Sequence, residues 1–152
     1  MEAHRGKVVA ISVSDRKGQK KRPVPFGTLL VEHGIEGDAH AGTSGHRQVS
    51  LLAVESADKM RAKGVKVGHG DFAENLTVEG INLLSLHIGD RLRVGEALLE
   101  ISQIGKECHD RCAIYQQIGD CVMPREGLFG RVIRGGRVAA GDVVVFEPGE
   151  KA

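Results

Sequence analysis

The order of apolar and polar positions predicts a series of short strands with few helices. Lys7–Ser14 (Lys-Val-Val-Ala-Ile-Ser-Val-Ser) is rich in β-branched residues and reads as a first strand. Asp15 to Pro25 is a polar loop, and Gly27 to His33 reads as a second strand that leads into a glycine-punctuated loop from Gly34 to Gly45. Gln48–Ala53 is a further strand that runs into a helix over Val54–Lys63. There Ala53, Ala57 and Met60 share one face, Glu55 and Lys59 form an i,i+4 pair, and Gly64 supplies the stop. Beyond it, Leu76–Glu79, Arg91–Val94, Ala97–Ile104, Gly130–Ile133 and Val143–Phe146 are strand candidates, with Gly89-Asp90 and Gly141-Asp142 as turns. A second short helix is predicted over Arg111–Ile118, with Asp110 as N-cap and Gly119 just past its end. Regular strand–helix alternation and a glycine-rich phosphate loop are both missing, which disfavours a doubly wound sheet. The expected fold is mainly β: a mostly antiparallel barrel with two or three short helices.

Composition narrows the class. At 152 residues the chain fits one domain over residues 1–152. A net charge of +1 gives no polybasic face, and with 3% aromatics and no Trp there is no stacking platform, so no nucleic-acid partner is expected. No apolar run reaches the roughly 18 residues of a membrane span, and no signal-peptide core is visible, so no membrane partner is expected either. Three cysteines, an odd number without an export signal, imply free thiols in a reducing cytoplasm. The 21 glycines against four prolines fit many tight turns between short strands.

All three cysteines, Cys108, Cys112 and Cys121, fall in one stretch with Lys106, His109, Arg111 and Arg125 nearby. Neighbouring positive charge favours the thiolate, the form that attacks sulfur, carries sulfur and binds soft metals. A helix capped by Asp110 adds its N-terminal dipole at Cys112, whereas Cys121 follows the far end. Zinc held by Cys108, His109, Cys112 and Cys121 is the rival reading, although structural zinc favours closely spaced pairs such as C-x2-C and here the spacing is C-x3-C. A second constellation is the loop Gly37–Gln48, where glycines permit close backbone approach and His40, His46 and Arg47 suit an anion. Glu74 and Asn75 stand just before a strand. Lys17, Lys20, Lys21 and Arg22 form the one dense basic run, which reads as a solvated loop or a phosphate contact.

In order along the chain, Gly18-Gln-Lys-Lys-Arg-Pro-Val24, Gly34-Ile-Glu-Gly-Asp-Ala-His-Ala-Gly42, Arg47-Gln-Val49, Glu74-Asn-Leu76, Leu86-His-Ile-Gly-Asp90, the cysteine stretch and Gly141-Asp142 together resemble the MOSC domain. This is the module named after the C-terminal part of molybdenum-cofactor sulfurases, here similar to its small stand-alone form. The resemblance implies a barrel like the barrel domain of pyruvate kinase. It implies a cysteine, Cys108 or Cys112, that carries persulfide sulfur or ligates molybdenum. It further implies a molybdopterin-type cofactor (or its tungsten analogue) held by Lys21, Asp38, His40, Arg47, Gln48, Glu74, Asn75 and Arg125. The family's aligned motif commonly has Pro-Cys or Cys-x-x-Cys, and this chain has neither, so both cysteines stay open. The expected role is a molybdenum-cofactor-binding protein for sulfur carriage or cofactor delivery, working with a cofactor-synthesis enzyme, a sulfur donor or an apo-molybdoenzyme. The alternatives are a molybdenum-cofactor-dependent oxidoreductase component that needs an electron-donor partner, and a non-enzymatic zinc or interaction module.

Overall fold

The computed structural model describes residues 5–15, 21–38, 41, 48–62, 64, 68–70, 74–104 and 127–147. In these the chain forms β1 (Arg5–Val13), β2 (Arg22–Val24), β3 (Phe26–Leu30), β4 (Gly34–Ile35), β5 (Val49–Ala53), α1 (Val54–Ala62), β6 (Leu76–Glu79), β7 (Arg91–Val94), β8 (Ala97–Ile104), β9 (Leu128–Arg134), β10 (Gly136–Ala139) and β11 (Val143–Glu147). The eight-stranded sheet has the order β11-β7-β8-β9-β5-β6-β1-β2, and a further pairing of β11 with β1 closes it, so all but β2 form a barrel. A separate three-stranded sheet, β10-β3-β4, packs beside it. The mainly-β barrel expected from the sequence is therefore the fold found. Pairing is antiparallel throughout except for β5 with β6, where α1 supplies the crossover that a parallel pair requires.

Alternation drives the closure. In β7, Leu92 and Val94 are fully buried; in β8, Ala97, Leu99 and Ile101 are. The residues between them face outward, as a period of two demands. Their inward side chains join Val8, Ile11, Leu51, Leu76, Val78, Leu128, Val132 and Val144 in one core cluster. β5 is buried at all five positions because the barrel lies on one side and α1 on the other. That helix buries Ser56, Ala57 and Met60 and closes where the Gly64 amide donates to the Arg61 carbonyl.

Both Gly-Asp turns repeat one device. Asp90 Oδ2 accepts the His87 amide at 2.8 Å, and Asp142 Oδ2 accepts the Ala139 amide at 2.8 Å. In each, the glycine amide then donates to a strand residue whose own amide donates back to the aspartate carbonyl: Gly89 and Asp90 with Ile101, Gly141 and Asp142 with Val8. Replacing either aspartate by alanine is expected to cost about 1 kcal/mol, the worth of one such bond, read as a lower urea midpoint with an unchanged slope.

Some expectations shift. The second strand ends at Leu30, because residues 31–33 turn and Glu32 takes φ 54. Its amide donates to Val132 O at 3.0 Å, and Arg131 grips its carboxylate through Nε (3.2 Å) and Nη2 (2.9 Å). The Glu32 carboxylate, chiefly through this hydrogen bond, holds the Arg131 guanidinium above its ordinary range. A raised arginine pKa means stability present below that range and lost only above it, so this pair adds no dependence near neutral pH. Both side chains are more than a third exposed, so Arg131→Met is expected to cost under about 1 kcal/mol, and less in high salt. β2, β4 and β10 were not foreseen. One α-helix and one 3₁₀ turn, Leu83–Ser85, are present among the described residues, and the expected helix over Arg111–Ile118 lies outside them.

Candidate functional site

Three segments open at one end of the barrel. β1 ends at Val13 and β6 begins at Leu76, and the two run antiparallel with Ile11 opposite Leu76. β5, parallel to β6, begins nearby with Leu51 opposite Leu76. The loop after β1, the residues before β6 and the residues before β5 thus meet, and a knot of buried polar side chains ties them together.

Asp38 and Lys21 make its charged half. Lys21 Nζ lies 2.8 Å from Asp38 Oδ1, with both side chains at 0% exposure. The same ammonium donates to Ser14 Oγ at 3.3 Å, and Asp38 Oδ1 also accepts the Ser14 amide at 3.1 Å. The Lys21 amide donates to Gly70 O at 2.8 Å. The Gly70 amide donates to Glu74 Oε2 at 3.0 Å, and that oxygen also accepts from Thr77 Oγ1 at 3.2 Å.

Asn75 ties the neutral half. Its Oδ1 accepts from the Ser50 amide (2.9 Å) and Ser50 Oγ (3.2 Å), its Nδ2 donates to Ser12 O (3.0 Å), and its carbonyl accepts the Ser12 amide (2.7 Å). Gln48 lies one step outward, with Oε1 accepting the Val132 amide at 3.0 Å. Buried polar groups of this kind are stable because they are bonded to one another. Ser12 Oγ and His69 Nδ1 are buried without a hydrogen-bond partner.

Of the residues expected at a site, Lys21, Asp38, Gln48, Glu74 and Asn75 are thus brought into one region, and all five are buried. His40, Arg47, Cys108, Cys112 and Arg125 lie outside the described residues. The described residues that flank the cysteine stretch include Ile104 and Leu128, which lie opposite each other, and the paired row Ile11, Leu76, Leu51, Leu128, Ile104 runs from them to the knot. Along the curved sheet this row is four strand spacings, roughly 19 Å, and the direct separation across the closed barrel is shorter. Ser12, Ser14, Ser50, Gly70 and Thr77 were missed by sequence reasoning. A serine in a strand carries no signal of its partner, although Ser12 and Ser14 did interrupt an otherwise apolar run.

In this region Lys21 pairs with Asp38, Glu74 Oε2 accepts from the Gly70 amide and Thr77 Oγ1, and the Asn75 and Gln48 oxygens accept main-chain amides. Among the described residues no three His, Cys, Asp or Glu side chains are grouped to hold a metal ion, and no helix is long and apolar enough to cross a membrane.

The closed barrel, with a knot of buried polar side chains at one end, defines a small β-barrel domain. The family model for the MOSC domain matches residues 36–145. The chain belongs to the MOSC-domain family, a family associated with molybdenum-cofactor proteins. Among proteins of known sequence it is 27% identical over 147 residues to the uncharacterized protein YflK of Bacillus subtilis, covering 88% of this chain but only 65% of that relative's length. Among solved structures it is similar to the YuaD protein of Bacillus subtilis, with a TM-score of 0.80, 20% identity and coverage of 96% of this chain and 97% of the other. It is also similar to YiiM from Escherichia coli, with a TM-score of 0.68, 22% identity and coverage of 97% and 71%. At these identities the likeness establishes the fold.

Proposed function

We propose that this chain binds molybdenum cofactor or a precursor of it and carries sulfur, or delivers the cofactor, through the thiolate or persulfide of Cys108 or Cys112. The observation that supports this is the family match over residues 36–145, which takes in both the loop bearing His40 and Arg47 and the cysteine stretch. A thiolate suits the role chemically, since it is both a soft metal ligand and a nucleophile that becomes a persulfide by attacking the outer sulfur of a donor persulfide, whose S–S bond breaks as the donor thiolate leaves. In handing on the outer sulfur atom, the persulfide is attacked at that sulfur, the S–S bond breaks, and the cysteine leaves as thiolate with the bonding pair. His40, Arg47 and Arg125 supply the cationic and donor groups for a phosphate.

The test is the metal and sulfur content of the protein purified from a host that makes molybdenum cofactor, compared with the Cys108→Ser, Cys112→Ser double variant. Bound cofactor or labile sulfur in the parent, lost in the double variant, is the expected result. Equal content in both would sink the assignment, and one tightly held zinc without molybdenum or tungsten would replace it with a zinc module.

A further inference from the structure

We propose that the cleft between α1 and the 80–84 segment, continued to the start of β1, is a binding site for a small carboxylate with a short apolar chain. It shares no residue with those proposed to serve the cofactor, and it stands whether or not that reading holds.

The knot of buried polar side chains lies where β1 ends and β5 and β6 begin. At the other ends of the same three strands, Ala53 lies opposite Val78 and Lys7 opposite Glu79. There the chain encloses a cavity of about 320 Å³, within the range of about 300–1,000 Å³ that holds small molecules. Its apolar walls are Ala53, Ile81, Leu83 and Leu84, with Glu55 and Lys59 of α1 along one side. Glu55 and Gly80 also line a neighbouring hollow whose other walls include Arg5, Lys7 and Glu79. The two adjoin at Gly80, which has no side chain to divide them.

Two features point to an amphipathic anion. Leu84 is 50% exposed, yet the turn that carries it is fixed. Asn82 Oδ1 accepts the Leu84 amide at 3.2 Å, Ser85 Oγ donates to the Asn82 carbonyl at 2.8 Å, and Leu83 is buried in the core. An apolar wall held out in this way gains by being covered and costs little to order. The charges are also unequal. Among the described residues the lining carries three cations, Arg5, Lys7 and Lys59, against two carboxylates, Glu55 and Glu79. Lys7 meets Glu79 at 3.2 Å. The Glu55 carboxylate accepts the Gly80 amide at 3.2 Å, and Lys59 stands one turn along α1 on the same wall. Arg5 remains as the excess positive charge, and a guanidinium matches a carboxylate with two parallel hydrogen bonds. A cationic ligand would meet Arg5 with the same sign of charge.

The experiment is a titration of the isotope-labelled full chain at neutral pH with octanoate, octylamine and 1-octanol, followed by amide chemical shifts. Octanoate should shift the amides of residues 53–59 and 79–84 with saturation, and bind about fivefold more tightly than octylamine. Arg5→Gln, a change at an exposed strand end, should weaken octanoate about fivefold and leave octanol as in the parent. Leu84→Ser should weaken octanoate and octanol alike, also by about fivefold. Raised salt should weaken octanoate in the parent and not in Arg5→Gln. No saturable shift at these amides, equal midpoints for octanoate and octylamine, or an Arg5→Gln variant that binds octanoate as the parent does would each overturn the proposal.

Discussion

Lys21→Met is expected to lose about 3–5 kcal/mol of stability, because it leaves the Asp38 carboxylate buried without its counter-charge. The pair is held at 2.8 Å with neither side chain exposed, so water cannot take over the lysine's part. In a domain of this length each kcal/mol moves the melting temperature by about 2–4 °C, so the transition should fall by roughly 6–20 °C. Combining Lys21→Met with Asp38→Leu removes both charges and should recover much of that loss, since well-packed apolar pairs replace buried ion pairs at little cost. Thermal and urea unfolding of the two singles and the double give the coupling directly. A single-variant loss under about 1 kcal/mol would show that the pair is solvated in solution, as surface pairs are.

Gly70→Ala should be almost as damaging, at roughly 3 kcal/mol, and for a different reason. Gly70 has φ 89, a region that costs a residue with a side chain about 1–3 kcal/mol. The added Cβ would also collide with the Lys21 carbonyl oxygen and press on the Ser12 Cβ. That carbonyl is main chain in the segment that places Lys21, so it cannot yield without moving the ion pair. The Gly70 amide's bond to Glu74 would be lost in the same shift. Denaturant unfolding of Gly70→Ala beside Gly64→Ala separates the two costs. Gly64 has a similar φ of 89 with nothing within 4 Å of the added atom, and so reports the backbone term alone. Equal losses in the two variants would mean that the contact at Lys21 relaxes without cost.

Much of the barrel was legible from the chain because the strands that line its core are alternating. Leu76–Glu79, Arg91–Val94 and Ala97–Ile104 appear at the expected bounds; in the last two a one-residue slip would turn the apolar side chains to the outer face. The helix after β5 was legible for the matching reason, with Ala57 and Met60 on its buried face. The three unforeseen strands have two to four residues each and lack a period. β4 is only Gly34-Ile35, and it is a strand because Leu29 and Leu30 lie opposite. β2 is Arg-Pro-Val, set by the end of β1. Their conformation comes from a neighbour, which local pattern does not contain.

The candidate site divides along the same line. From the residues themselves came the gathering of thiols and cations in one stretch, and from the ordered succession of short motifs came the family. Lys21, Asp38, Gln48, Glu74 and Asn75 were singled out as what that resemblance implies. Their burial and their partners were decided by the tertiary structure alone. Lys21 meets Asp38 from 17 positions away, Asn75 meets Ser50 from 25 and Ser12 from 63, and Gln48 meets Val132 from 84. The adjacency of β9, β5, β6 and β1 in the sheet is what brings those distant segments together. A lysine in a basic run reads as solvated until the fold sets an aspartate 2.8 Å from it and removes the water from both.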